Sequence, residues 1–336
     1  MRFVQSFRSY TFVDSISQGY IAITGLEILC LHGDAVPKWP FFVLAHVLLF
    51  LLIHNLVRLQ ASFPRHGILD FVRHFYPVLL YTFFYRETGA LNHMTFAGYF
   101  DPFFIRLEQR LFGMQPSLMF MEKFPFLPVS ELFYAAYFSY YVMIFGIGLA
   151  LFFRGRAQFF HYVSVLSFIF YVCSLIYIFT PVVGPRIFYP ELCGIRLSPD
   201  AMPAFVPAFP EAIKAGPFYQ LMAWIYSHLE APGASFPSSH VAIGLCTAYF
   251  SFLYLRRIRY VHLVVVILLS LATVYCRYHY AVDVIGGLVT FLILVPLGNK
   301  LFFKFSHAEL DGNSRNVGQS KTDFPATHPP ATKKCK

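Results

Sequence analysis

Charged residues are scarce in this chain: Asp, Glu, Lys and Arg make up 13% of its 336 residues, about half the share in an average soluble domain. So few charges cannot clothe a soluble globule, and with 57% hydrophobic and 19% aromatic residues the composition predicts a polytopic, all-α membrane protein. The net charge of +9 does not make it a nucleic-acid binder, because the bases collect in short segments between apolar runs, where they orient membrane spans. Paired cysteine spacings are also missing. Cysteines 30, 173, 193, 246, 276 and 335 include no C-x-x-C, and most lie inside apolar runs, where cysteine is a small hydrophobe; neither a metal site nor a disulfide framework is expected. No Asn-x-Ser/Thr acceptor occurs, so glycosylation says nothing about compartment. Met1 to Ser17 has no long apolar stretch before a small-residue site, and no removable signal peptide is expected there.

What is present is a series of apolar runs of about spanning length. They fall at Tyr20 to Leu31, Pro40 to Val57, Ile68 to Tyr85, Ser130 to Phe153, Phe159 to Phe179, His240 to Leu255, Tyr260 to Cys276 and Tyr280 to Phe303. They predict a bundle of about eight spans, of which the first, being short, is the weakest. One set of run ends carries Arg2 and Arg8, then Arg58, Arg65 and Arg73, then Arg154 and Arg156, then Arg256, Arg257 and Arg259, then Lys300 and Lys304. The positive-inside rule places those ends and both termini in the cytoplasm. Arg186, His240 and His279 then share the opposite face, lumenal or periplasmic, in a bacterial inner membrane or a eukaryotic endomembrane.

Two connections on that face are long. In the first, Asp101-Pro102, an alternation of Phe103, Phe104, Leu107 and Leu111 with Arg106, Gln109 and Arg110, and a closing Gly113 predict a short amphipathic helix with Asp101 as its N-cap. It either lies in the interface or packs on the rim of the bundle. The second, Pro181 to Phe236, is rich in Pro and Gly and has the length of a functional lid. Residues 1–305 read as the membrane domain and residues 306–336 as a disordered cytoplasmic tail. That tail ends Lys333-Lys334-Cys335-Lys336, either a random basic end or a dilysine-type address.

Three places carry ionisable groups where a membrane makes them expensive. His279 and Asp283 are four apart, so on a helix the carboxylate can hold one imidazole nitrogen and leave the other free; alternatively they are a polar pair within the bundle. Ser238, Ser239 and His240 stand at a helix start, where free backbone N–H groups can take an anion or where the serines simply cap a span. Arg186 follows a Pro/Gly break after the fifth run and either snorkels to a lipid phosphate or holds a substrate phosphate. A transporter is the non-enzymatic reading. Against it, these groups gather at one membrane face and do not line a path through it.

Pro237-Ser238-Ser239-His240 and His279-x3-Asp283, in this order across the spans, resemble the type-2 phosphatidic acid phosphatase superfamily, whose motifs are K-x6-R-P, P-S-G-H and S-R-x5-H-x3-D. The likeness covers roughly Ser130 to Phe303. Phe179 stands where the motif lysine would be, Ile187 where its proline would be, and Arg277 is two residues before His279 instead of six. The compact His279-Tyr280-Ala281-Val282-Asp283-Val284-Ile285-Gly286-Gly287 and the stretch from Asp101-Pro102 to Pro116-Ser117 look like the inositol phosphorylceramide synthase and inositolphosphotransferase branch.

The resemblance implies a six-helix core, His279 as nucleophile, Asp283 as its orienter and His240 as general acid and base. It implies phosphate binding by Arg186, Arg277, Ser238 and Ser239. It implies no metal or other cofactor, a membrane-lipid substrate and a water, polar or lipid hydroxyl acceptor. The three motifs do not decide between hydrolysis and transfer; the branch resemblance favours transfer of a phosphoryl or phospho-headgroup group, with a lipid phosphate phosphatase as the alternative.

Overall fold

The computed structural model describes residues 10–188 and 209–314, with side chains as far as 306; Cys193, Cys335 and the Lys333–Lys336 ending lie outside them. Among the described residues the chain is helical, with a single isolated bridge between Val182 and Ala234. The helices are α1 (Phe12–Leu31), α2 (Trp39–Ser62), α3 (Gly67–Leu91), α4 (Asp101–Phe112), α5 (Pro116–Lys123), α6 (Leu127–Arg154), α7 (Arg156–Phe179), α8 (Pro185–Phe188), α9 (Pro217–Leu229), α10 (Ser239–Tyr254), α11 (Arg259–Tyr275) and α12 (Ala281–Ser314). Every apolar run of the sequence is a helix. Four of these, α2, α6, α7 and α12 as far as Ser306, are long and apolar enough to cross a membrane; α10 and α11 are apolar but shorter.

α7 is the axis of the bundle, packed by α1, α3, α6, α10 and α12. Val163, Leu166, Ile169 and Cys173 on it are fully buried. α2 sits at the periphery and turns Phe41, Leu44, Leu48 and Leu52 outward, which is stable where the surroundings are hydrocarbon. The protein is an integral membrane protein.

Three boundaries differ from those read in the sequence. α1 starts at Phe12, eight residues before its apolar run, because Thr11 and Asp14 form a reciprocal capping box and buried Asp14 also bonds Arg73 and the Tyr76 hydroxyl of α3. A polar first turn is helical here because its carboxylate has tertiary partners. α4 begins at Asp101 itself, so Asp101 is not its N-cap; Phe100 is. α12 continues beyond Phe303 to Ser314, into the stretch read from sequence as tail, and residues 315–336 lie outside the described part.

α4 packs on the rim of the bundle against the start of α12. Its inner face is Asp101, Phe104, Ile105 and Glu108, all buried, while Phe103, Leu111 and Phe112 are exposed. Gly113, at φ 69°, ends it in the left-handed region that glycine adopts without steric cost. The described parts of the long connection after α7, residues 181–188 and 209–236, are structured. They form α8, a 3-10 turn over Glu211–Ala215, and α9, which packs on α6.

Candidate active site

Helix ends converge at one end of the bundle. α11 stops at a turn in which Arg277 takes φ 61° and the amides of Tyr278 and His279 both donate to the Thr273 carbonyl, at 3.1 and 3.0 Å. A left-handed arginine is strained, and such strain persists only where surrounding contacts hold it, often at functional sites. This break lets α12 start afresh at Ala281 with His279 just ahead of it. The Asp283 carboxylate turns back to accept the Tyr280 amide at 2.9 Å.

α10 meets α12 at its own first turn. A Cβ on Gly287 would lie 2.5 Å from the Ser238 carbonyl oxygen and 2.9 Å from Val241 Cβ, so only glycine permits this approach. The Ser238 amide then donates to the Asp283 carbonyl at 3.1 Å, and His240 is carried to His279. His279 Nε2 lies 3.2 Å from His240 Nδ1.

The other nitrogen of His279 is held from behind. Ser235 Oγ is 3.1 Å from His279 Nδ1 and donates to Asp283 Oδ2 at 2.7 Å, while Nδ1 itself is 3.4 Å from that oxygen. With Ser235 donating to the carboxylate, its oxygen accepts from the Nδ1–H, which leaves the Nε2 lone pair facing His240. His240 Nε2 in turn is 3.0 Å from the Tyr137 hydroxyl, itself 2.5 Å from that of Tyr226. Both histidines are thus fixed at one nitrogen and face each other with the second.

Arg186 stands beside the pair. Its amide donates to the Arg277 carbonyl at 2.7 Å, its guanidinium lies 4.6 Å from the centre of the Tyr226 ring and 5.3 Å from that of Tyr278, and Nη1 reaches Glu230 Oε1 at 3.2 Å. Burial alone would lower its pKa; the neighbouring Tyr278, Glu230 and Tyr226 outweigh that and raise it. Arg186, His240, His279, Ser235 and Glu230 line a common cleft.

Other residues singled out from the sequence have different positions. Ser238 Oγ accepts the Val241 amide as the N-cap of α10, and the Ser239 amide donates to the Tyr177 hydroxyl at 3.2 Å, so the amides of both serines are engaged within the fold. The Arg277 guanidinium lies 5.7 Å from the centre of the Phe209 ring and is not among the residues lining the cleft; burial lowers its pKa.

α4 ties the two loops of the site together. Asp101 accepts the amides of Val183 and Gly184, in the turn leading to Arg186, and the Tyr280 hydroxyl, all at 2.9 Å. Glu108 accepts the first amides of α12, Ala281 at 2.5 Å and Val282 at 3.4 Å. These are helix-terminal donors with no partner inside their own helix. Burial pushes Asp101 up to about 7 and Glu108 up to about 8.

A family model described as the PAP2 superfamily matches residues 103–297. The chain belongs to the PAP2 superfamily. No curated protein and no solved structure matches it. PAP2 superfamily members are generally lipid phosphatases or phosphotransferases, and the matched segment contains Arg186, His240, His279 and Asp283. α1, α2 and α3 precede the match, yet they belong to this PAP2 protein's bundle. Between α3, α6, α7 and α9 lies a cavity of about 220 Å³ walled by residues such as Val78, Tyr81, Ile144 and Phe170, with His240 and Glu230 at its edge.

Ser235, Tyr137, Tyr226, Asp101, Glu108 and Glu230 were not read as site residues from sequence. Ser235 had a signal, since it lies in the same Gly233–His240 segment as the motif serines. The tyrosines had none in a chain with twenty-two of them.

Proposed function

We propose that the protein transfers a phosphoryl or phospho-headgroup group of a membrane lipid through a phosphohistidine at His279, as an inositolphosphotransferase-like enzyme. The observation that carries the proposal is the opposed histidine pair: Nε2 of His279 and Nδ1 of His240 are 3.2 Å apart beside Arg186. The His279 lone pair meets His240 and is released for attack when a phosphate displaces that contact, and His240 is placed to deliver and recover a proton.

In the first step His279 Nε2 attacks phosphorus in line. The N–P bond forms, the ester P–O bond breaks, and His240, entering as the imidazolium, gives its Nδ1 proton to the departing lipid oxygen and becomes neutral. Asp283 and Ser235 stabilise the charge that develops on His279. Arg186 neutralises the phosphoryl oxygens where charge concentrates. In the second step an acceptor hydroxyl gives its proton to His240 and attacks, which releases neutral His279.

A lipid substrate is supported by the apolar cavity that reaches His240, since lipid-binding sites are concave and largely apolar with a few polar groups at the reacting end. The positive-inside pattern supports a lumenal or periplasmic site with cytoplasmic termini. The compact third motif and the upstream Asp101–Ser117 stretch support transfer of a headgroup over simple hydrolysis.

The purified protein, supplied with phosphatidylinositol or phosphatidate and with ceramide or diacylglycerol as acceptor, is expected to make a new phospholipid with little free phosphate. Stoichiometric free phosphate and no new lipid would make it a lipid phosphate phosphatase. A labelled donor should leave an acid-labile phosphoprotein that His279→Ala cannot form. Full turnover by His279→Ala rules out the phosphohistidine.

A further inference from the structure

Glu230 belongs to none of the motifs, yet it occupies the seam of the site. It follows α9 as its C-cap, accepts Arg186 Nη1 at 3.2 Å, and lines both the cleft at His279 and the apolar cavity. Tyr85, Tyr226, Glu230 and His240 line both spaces. Any lipid with its tail in the cavity and its phosphate at Arg186 therefore carries its headgroup, or meets its acceptor, against this carboxylate.

A carboxylate is the wrong group for holding phosphate. It repels the anion and competes with it for the guanidinium. Burial raises the Glu230 carboxyl and Arg186, 3.2 Å away, opposes that rise. When phosphate takes over the guanidinium, Glu230 loses a hydrogen-bond donor in a half-buried place, and a carboxylate there needs another. It can bind only donors, and it accepts at both oxygens.

We infer that Glu230 is a specificity residue that accepts hydrogen bonds from the hydroxyls of a polyhydroxylated group next to the transferred phosphate. The inference rests on the phosphotransfer proposed above. In the transfer step the N–P bond of phosphohistidine breaks and the acceptor oxygen forms the new P–O bond. The proton of that oxygen passes to His240. Glu230 holds a second hydroxyl of the same acceptor, which seats the reacting one beside His240. Water and a monohydric alcohol have no second hydroxyl to offer and gain nothing from it.

The test is the partition of the phosphoenzyme of the full-length protein, formed from phosphatidylinositol or phosphatidate, among water, 1-propanol, ethanolamine, glycerol and myo-inositol. One charge-assisted hydrogen bond predicts that wild type favours glycerol or inositol over propanol by about tenfold, and that Glu230→Gln lowers this ratio several-fold. The ratio is internal to each enzyme, so it does not depend on the overall rate of the variant. If the variant does not fold, the wild-type glycerol-to-propanol ratio decides.

Wild-type turnover without polyol preference overturns the inference and leaves phosphotransfer standing. So does preference for ethanolamine, or a Glu230→Gln ratio equal to wild type. No turnover by wild type on either donor overturns phosphotransfer and this inference together.

Discussion

His279 Nε2 and His240 Nδ1 face each other at 3.2 Å across 39 residues of sequence. Each is fixed from behind, His279 by Ser235 near Asp283 and His240 by Tyr137. The division of labour between them can be separated by leaving group.

If His240 protonates the departing oxygen, His240→Ala should lower turnover of a lipid ester by about 10²–10⁴, the usual worth of a general acid. With p-nitrophenyl phosphate, whose leaving group needs no proton, the loss in phosphoenzyme formation should be much smaller. Stopped-flow release of nitrophenol against lipid turnover measures the difference. Equal losses on both would remove the acid role.

Ser235 and Asp283 touch His279 from the side away from His240; if they act on the reaction through it, their loss should appear in kcat with KM little changed. Asp283→Asn is expected to cost about a hundredfold or more, because a neutral amide neither fixes the tautomer nor stabilises the imidazolium. Ser235→Ala should cost less, since the carboxylate remains 3.4 Å from Nδ1. Steady-state kinetics on one lipid donor gives the order. A Ser235 loss larger than that of Asp283 would reverse the hierarchy.

Gly287→Ala should impair the enzyme without touching a reacting group. Its Cβ would press on the Ser238 carbonyl and Val241 and push α10, with His240, away from His279. A displacement of about 1 Å at reacting groups can cost on the order of 10²-fold in rate. Comparison of phosphoenzyme yield with thermal stability shows whether geometry or folding is lost. Wild-type yield in Gly287→Ala would mean that the approach of α10 is not what aligns the histidines.

Asp101 and Glu108 have folded values raised by burial, to about 7 and about 8, from about 4 in an unfolded chain. For a raised acid the folded state binds the proton more tightly. Its stabilising share is therefore complete below about pH 4 and is lost as pH rises through about 7 to 8. Thermal stability of the purified protein is expected to fall over that range. Glu108→Gln, whose amide oxygen still accepts from Ala281 and Val282 and cannot ionise, should flatten the upper part of the curve. Melting temperature against pH for the two proteins checks it; identical profiles would exclude Glu108 as a contributor.

Much of this site was legible because its residue types are costly where they stand. A histidine and an aspartate four apart at the head of an apolar run, a histidine after Pro-Ser-Ser at another, and an arginine after a Pro/Gly break identify themselves against a background of Phe and Leu. The break at Arg277 was not legible, since it rests on a left-handed residue and on the amides of Tyr278 and His279 closing on the Thr273 carbonyl. The position of Arg277 over Phe209 was equally hidden, because that depends on a contact made by the long connection after α7.

Glu230 and Asp101 illustrate the opposite case. Each is an acid in a connection between apolar runs, and for Asp101 the N-cap role was the economical reading. Its actual partners, the Val183 and Gly184 amides and the Tyr280 hydroxyl, are up to 179 residues away. Asp14 is similar. Hydropathy started α1 at Tyr20, because only the distant Arg73 and Tyr76 make a buried carboxylate there affordable.

The sequence alone determined that this is a helical membrane protein and which runs become helices, and it singled out Arg186, His240, His279 and Asp283, which the fold brings together. Hydrophobicity, helix-end signals and the cost of burying charge are local properties. Only the tertiary structure decided that Ser235 stands between His279 and Asp283, that α4 anchors both loops, and that Glu230 faces the cleft. Those facts depend on how closely α10 and α12 approach at Gly287 and where α4 and α9 come to rest, and such distances are set by side-chain packing between segments far apart in the chain.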